Sequence, residues 1–318
     1  MSFSSDRIGL TKQGAYFTFP LPNFFIAGAP KSGTSSVHQW IADHPDACGA
    51  REKETYFFVD PGTHMYRAEA HINAGFESWR HQFDMAACSK ASIITESTPS
   101  YIYSNTALSN IPFLASNPKV LFIIREPSSQ IYSMYNYFRN NWNWIPASMT
   151  FGDFLACVRD SSHDFGGNEL AQNALVNAGY VTFLRQWRDR LGPERMRVLN
   201  FDDLRSDHVS FMTSIASWLD LDPDFYRDYT FPTENQTYTP KRRWLQHINI
   251  AVRGTLPKGP IYRALRSAYR RANTHSAKPA ASAEDLVLLD QLREEFVELN
   301  KALDDEFGIR FSSAPQRI

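Results

Sequence analysis

Apolar residues recur along the chain in two patterns, short continuous runs and longer stretches at helical spacing, and the two alternate. Within 23–29, Phe24, Phe25 and Ile26 form a run of the kind found in a strand buried on both faces. The turn Ala29-Pro30-Lys31-Ser32-Gly33 follows. From Thr34 the apolar residues Val37, Trp40 and Ile41 fall at helical spacing, and Asp43-His44-Pro45 ends the pattern, the proline limiting continuation. Residues 92–95 and 120–124 are two further buried-strand candidates. The second leads through Arg125-Glu126-Pro127 into a helical stripe of Ile131, Met134, Tyr135 and Phe138, so the strand–loop–helix unit recurs. Tyr180, Leu184, Trp187 and Leu191 mark another amphipathic helix, stopped by Gly192-Pro193, and 197–201 reads as one more strand. A last helix is predicted from Ser282, with Asp285 placed for a capping box and Leu288, Leu292, Phe296, Leu299 and Leu303 along it.

Strands alternating with helices predict an α/β fold, a mainly parallel sheet flanked by helices on both faces. The 318 residues, 43% of them hydrophobic, are enough for a sizeable core. No internal repeat or domain boundary is evident, so 1–318 reads as a single domain. Between 241 and 281 the chain turns basic and rich in Pro, Ser and Ala, with Lys241, Arg242, Arg243, Arg263, Arg266, Arg270 and Arg271, and part of it is expected to be a mobile surface segment.

A net charge of −1 provides no bulk attraction to nucleic acid or anionic membrane, so a polyanionic ligand would need a local cluster of donors. Cys48, Cys88 and Cys157 are widely spaced and show neither metal-ligand nor redox spacing; they read as reduced core thiols. No stretch approaches the apolar length of a membrane span, and the N-terminus lacks a basic segment leading into a long apolar run, so the expectation is a cytoplasmic protein.

The candidate chemistry starts at Gly28-Ala29-Pro30-Lys31-Ser32-Gly33-Thr34-Ser35-Ser36, between a buried strand and a helix start. Its peptide N–H groups and the helix N-terminus make an anion site, on which Lys31 and the hydroxyls converge. An ordinary strand-to-helix turn has no need of a lysine and several hydroxyls together. Gly28 and Gly33 have the spacing of a nucleotide-triphosphatase P-loop, but that motif's lysine would fall at Thr34, and Lys31 stands three residues too early. The second strand also ends in Arg125, where a metal-holding P-loop enzyme often has an acidic residue. A P-loop kinase is therefore the alternative, and a non-catalytic nucleotide-binding scaffold a further one.

The segment 30–34 resembles the 5′-phosphosulfate loop of sulfotransferases that use 3′-phosphoadenosine 5′-phosphosulfate (PAPS), with carbohydrate (heparan-type) and bacterial members closest in motif. Arg125-x-Pro127 with Ser133 and Tyr135 is similar to that family's 3′-phosphate motif, an arginine ending a strand and a serine eight residues later; Gln130 departs from a basic residue common there. An Arg fork and a hydroxyl suit charge-assisted bonds to phosphate. Lys53-Glu54-Thr55-Tyr56-Phe57-Phe58 resembles the Lys-Glu-x-x-Phe-Phe segment of the heparan-type enzymes, whose glutamate is the base. Glu54 is thus the candidate base, with partial burial expected to raise its pKa. A solvated carboxylate or helix cap is the plainer alternative, and Glu52 lies outside the motif. Lys53 is either a transition-state cation or a surface lysine.

Glu96-Ser97-Thr98-Pro99-Ser100-Tyr101 resembles the Glu-Lys-Thr-Pro-x-Tyr segment that lies beside the acceptor in the same group, which implies acceptor contacts for Lys53, Ser97, Thr98 and Tyr101; Ser97 stands where a lysine is usual. Aryl sulfotransferases place a catalytic histidine in this region, but none occurs between His81 and His163, which favours Glu54. Tyr180 with Leu184 and Trp187, then 198–205, resemble the family's penultimate helix and the strand with an acidic turn that follows. Lys241, Arg242 and Arg243 are the nearest candidates for its late basic loop over the 3′-phosphate. The resemblance implies a P-loop-like fold, PAPS as donor with 3′-phosphoadenosine 5′-phosphate (PAP) as product, no required metal, and transfer to a hydroxyl or amine. It implies that Lys31, Ser32, Gly33, Thr34, Ser35 and Ser36, with Arg125 and Ser133, hold the donor while Glu54 and Lys31 act on the reacting groups. A saccharide is the first candidate acceptor, and Trp142 and Trp144 would suit stacking on sugar rings as well as a core.

Overall fold

The computed structural model describes residues 21–232, 239–240, 245, 269, 273–275 and 281–312. Most of the basic stretch, Lys241, Arg242 and Arg243 included, lies outside the described residues. Contacts divide the chain into two compact units, one of 1–126, 179–234 and 298–311, the other of 127–178, 235–297 and 312–318.

The first unit is built on five strands, β1 (Phe24–Gly28), β2 (Ala47–Gly49), β3 (Ile93–Glu96), β4 (Lys119–Ile124) and β5 (Met196–Asn200). All pair in parallel, in the order β2-β3-β1-β4-β5. The apolar runs are continuous because both faces are covered. Phe24 and Ile26 of β1, with Leu121 and Ile123 of β4, pack on one face against Val37, Trp40 and Ile41 of α1 (Thr34–Ala42) and Phe211, Met212 and Ile215 of a later helix (His208–Trp218). Phe25 and Ala27, with Val120, Phe122 and Ile124, face the other layer, where the helix Tyr180–Leu191 supplies Tyr180, Leu184, Trp187 and Leu191. The predicted fold class is the observed one, and the predicted strands fall within a residue of these bounds at nearly every end.

Two elements differ from expectation. The helix predicted from Ser282 does begin there, with the reciprocal Ser282–Asp285 capping box, but it runs Ala283–Glu295 and a second helix, Val297–Phe307, follows a break at Phe296. The cysteines are not all reduced: Cys48 on β2 and Cys88, 40 residues later on a short helix (Met85–Cys88), are joined as a disulfide, leaving Cys157 free. A three-residue edge strand has too little apolar pattern to be seen in advance, so the approach of these two sulfurs is a product of the fold.

The described part of the second unit is helical apart from one short strand pair. The helices Pro127–Tyr137, Phe151–Asp160 and Ala283–Glu295 meet through Tyr132, whose hydroxyl donates to Asp285 Oδ2 at 3.0 Å and whose ring lies 5.0 Å from Phe151. The strand pair Thr239–Pro240 and Thr274–His275 is antiparallel. No helix among the described residues is long and apolar enough to cross a membrane.

Candidate functional site

The loop after β1 is shaped by one residue that only glycine fits. Gly33 caps α1 with φ +79°, and a Cβ there would lie 2.5 Å from Leu204 Cδ2 and 3.0 Å from Phe201 Cε2. The helix start has no side-chain cap and no acidic residue in its first turn, which leaves its positive end for an anion. Ser32 is fully buried with its hydroxyl unpartnered, an orphan donor of the kind an oxyanion satisfies. Thr34 and Ser36 are buried, while Lys31, at φ +66°, and Ser35 are half-buried.

At the end of β4 stands Arg125, 9% exposed. It makes no ion pair among the described residues, its Nε has no partner, and its guanidinium lies 5.2 Å over the Phe201 ring. Arg125 is therefore not a surface salt-bridge residue. Burial, despite the countervailing field of Tyr180, pulls its pKa down to about 10, and Arg205 adds to the fall. Glu126 and Asp202 offset part of this fall through their fields, but a buried guanidinium with no direct ion pair is costly, and an anionic ligand would relieve that cost. Phe201, on the helical turn Phe201–Ser206 after β5, touches both the Gly33 position and Arg125. Its role was not legible beforehand, since an aromatic after a strand reads as core. Ser133 lies half-exposed on the helix Pro127–Tyr137 of the second unit, where Gln130 is fully buried with its amide directed at Met134 Sδ, 3.6 Å away.

The turn carrying Glu54 is anchored by the two phenylalanines after it. Phe57 and Phe58 are buried, Phe57 stacking on Trp79 at 4.7 Å and 4°, so the polar residues just before them are held at the mouth of the sheet. Lys53 Nζ donates to Thr34 Oγ1 at 3.2 Å and lies 2.9 Å from Glu54 Oε1, and the Tyr56 hydroxyl donates to Glu54 Oε2. Lys53 is therefore not a surface lysine: its side chain is 16% exposed and bridges α1 to Glu54, itself 34% exposed. Glu54 departs from expectation in its acidity. Burial pushes its pKa up, but the opposing pull of Lys53, the Tyr56 hydroxyl and Lys31 holds it below the ordinary carboxylate value.

Behind this turn the end of β3 supplies a second carboxyl. Glu96 Oε1 accepts from the Thr55 N–H at 3.1 Å, the Thr55 hydroxyl at 3.0 Å and the Thr98 hydroxyl at 2.6 Å. Burial, with Glu54 adding, raises its pKa to about 7 even against these bonds. Ser97, Thr98 and Tyr101 are fully buried and bonded within the protein. Ser97 Oγ lies 2.7 Å from His38 Nδ1, Thr98 Oγ1 accepts from the Tyr56 N–H at 3.3 Å, and Tyr101 Oη accepts from the Phe58 N–H at 3.2 Å. The hydroxyls of Ser97, Thr98 and Tyr101 are thus turned inward, Thr98 and Tyr101 closing N–H groups that the turn would otherwise leave unpaired and Ser97 pairing with the His38 ring on α1. His38 was missed altogether; burial and Lys53 push its pKa down to about 3, so it is neutral. The site thus brings together Lys31, Thr34, Lys53, Glu54 and, behind them, Glu96.

A protein-family model for the sulfotransferase family matches residues 22–225, and the chain belongs to that family. Among curated proteins it is similar to the human bifunctional heparan sulfate N-deacetylase/N-sulfotransferase 2, 22% identical over 215 residues, and to the Bos taurus protein of the same name, 23% over 216. Each match covers 66% of this chain but 23% of the relative's length. Among solved structures, a sulfotransferase from Alicyclobacillus acidocaldarius superposes with a TM-score of 0.55 at 20% identity, covering 79% of this chain and all of that one, which supports the fold.

Proposed function

We propose that this protein transfers a sulfuryl group from PAPS to a hydroxyl or amine of a saccharide acceptor, with Glu54 as general base. The observation that carries the proposal is the junction at Lys53, whose ammonium bonds both Thr34 at the start of α1 and the carboxylate of Glu54. One cation thereby ties the anion loop to a candidate base. The heparan sulfate relatives support a saccharide acceptor through their names.

The buried orphan donors of Ser32 and Arg125 fit the anionic ends of PAPS. In this scheme Lys31, Ser32, Gly33, Thr34, Ser35 and Ser36 hold the 5′-phosphosulfate, and Arg125 the 3′-phosphate. The donor supplies an electrophilic sulfur and a phosphate leaving group. Glu54 accepts the proton of the attacking O–H or N–H as the new bond to sulfur forms and the sulfur–oxygen bond to phosphate breaks. Lys31, Lys53 and the start of α1 stabilise the charge that builds on the departing oxygen. With its pKa held low, Glu54 is ionised throughout the neutral range and ready to accept a proton, at the expense of intrinsic basicity. Ser97, Thr98 and Tyr101 keep the turn in place beside the acceptor.

Calorimetric titration with PAP, beside ATP–magnesium and adenosine 5′-phosphate, tests the donor. Metal-independent binding that requires the 3′-phosphate is the expected result. Preference for ATP–magnesium would make the protein a P-loop kinase, and absence of binding to all three would make it a scaffold.

A further inference from the structure

Thr55, next to Glu54 in this turn, is tied to the sheet by a single carboxylate oxygen. Glu96 is the last residue of β3 and fully buried. Its Oε1 takes all three donors from Thr55 and Thr98, while its Oε2 is buried and has no hydrogen-bond partner. We propose that Glu96 is a positioning residue for sulfuryl transfer, pinning Thr55 to the end of the sheet so that the adjoining Glu54 is presented to Lys53 and the phosphosulfate loop. The inference rests on the reading of Glu54 as base.

Three features favour this role over simple packing. First, two of the three bonds to Oε1 come from Thr55, the residue next to Glu54, and the third from Thr98, whose hydroxyl also accepts from the Tyr56 N–H. The backbone of Lys53 is tied to the same strand end, its carbonyl accepting from the Ser97 N–H at 3.1 Å. Every residue from Lys53 to Tyr56 except Glu54 is therefore fastened to β3 or the turn after it, and Glu54 alone is directed at Lys53 and Tyr56. Second, Glu96 pairs in register with Phe25 of β1, the strand that delivers the anion loop, so one rigid sheet end sets both halves of the site. Third, a buried carboxyl with one oxygen unsatisfied is expensive for packing alone, whereas an ionised oxygen grips three donors more strongly than a neutral one.

The grip therefore depends on protonation. The titratable groups that face Glu96 are Glu54 from the turn and Tyr101 from the 3-10 turn Pro99–Tyr103; α1 contributes His38, which reaches only Ser97. With Glu96 poised at about 7 and Glu54 held low, the acid side of the activity profile belongs to Glu96: below that pH the carboxyl is neutral and its hold on Thr55 weakens.

The test follows the Thr55 backbone amide by NMR from pH 5.5 to 9 in the full chain and in Glu96→Gln, with PAP titrations on both. In the wild type the Thr55 amide proton should shift downfield with a midpoint near 7, and in Glu96→Gln it should not titrate. With PAPS and de-N-sulfated heparin as the saccharide probe, Glu96→Ala should lose about a hundredfold in kcat with the KM for PAPS within about threefold. Glu96→Gln, which keeps a neutral oxygen acceptor, should fall between wild type and Glu96→Ala and stay near the wild type's acid-side activity at every pH, without the acid limb. A Thr55 amide that does not titrate, or a Glu96→Gln profile that keeps the wild-type rise near pH 7, overturns the inference while PAP binding stands. Failure of the wild type to bind PAP overturns instead the donor reading beneath it.

Discussion

Replacing Glu54 by glutamine removes one negative charge and the proton-accepting lone pair while leaving side-chain volume almost unchanged. The amide oxygen of the substituted side chain can still accept from Lys53 Nζ, which lies 2.9 Å from the native carboxylate, and the Tyr56 hydroxyl can turn to accept from the new amide N–H. Because the Lys53 and Glu54 side chains are 16% and 34% exposed, the lost ion pair costs stability of about 1 kcal/mol or less. The donor cradle does not include Glu54, so PAP affinity should move less than about threefold, roughly 0.6 kcal/mol. Turnover should fall by about 10²–10⁴, the range of general-base catalysis, equivalent to about 3–5 kcal/mol in the barrier. The pH dependence has a definite sign. A carboxylate held below its ordinary value of 4.5 loses its charge only as pH falls through that lowered value, so the ratio of wild type to variant contributed by Glu54 should be flat from pH 6 upward. The assay is release of PAP from PAPS with de-N-sulfated heparin, read by chromatography, beside PAP calorimetry. Parallel loss of binding and turnover, or turnover within threefold of wild type, would refute Glu54 as the base.

Three further outcomes are expected. Arg125→Met should weaken PAP binding by about 10- to 100-fold, the worth of a charge-assisted contact, with adenosine 5′-phosphate affected less than about threefold; its melting temperature should hold or rise, since a buried cation with no direct ion pair is removed, and equal losses for both nucleotides would place Arg125 away from the 3′-phosphate. Dithiothreitol or Cys48→Ser should lower the melting temperature, because a bridge spanning 40 residues contributes up to about 4 kcal/mol, and alkylation without reductant should modify Cys157 alone; three modified cysteines would refute the bridge. For Glu96, whose pKa rises on folding from 4.5 to about 7, the contribution to stability is fully present below pH 4.5 and is lost as pH rises through 7, with a ceiling of about 3 kcal/mol. Urea midpoints at pH 5 and 8 should therefore fall more in the wild type than in Glu96→Gln, and identical falls would count against a buried, titrating Glu96.

Two motif segments, at Gly33 and at Phe57–Phe58, were legible as local structure because each couples a local conformation to a chemical need. The loop at Gly33 requires a left-handed residue with no Cβ, the helix start leaves amide donors uncapped, and the apolar pair Phe57–Phe58 marks where the chain dives into the core after Glu54. The acidity of Glu54 was not legible. Its sign is decided by the distance to Lys53 and the Tyr56 hydroxyl, and proximity on paper does not say whether burial or the neighbouring cation prevails. Ser97, Thr98 and Tyr101, expected beside the acceptor, have their hydroxyls bonded within the protein, and a short polar run after a strand has no period that reveals which side chains turn inward.

By itself the sequence determined the parallel α/β architecture, the turn at Gly33 and the family motifs that contain Lys31, Glu54 and Arg125, since these follow from hydrophobic period, glycine stereochemistry and the short-range order of charged residues. Only the tertiary structure decided that Lys53 joins the loop to Glu54, that Phe201 lies against both Gly33 and Arg125, that Cys48 meets Cys88, and that Glu96 sits beneath Thr55. Each of these joins residues distant along the chain, and pKa values and buried hydrogen bonds depend on that distance in space and on how much water the packed sheet excludes.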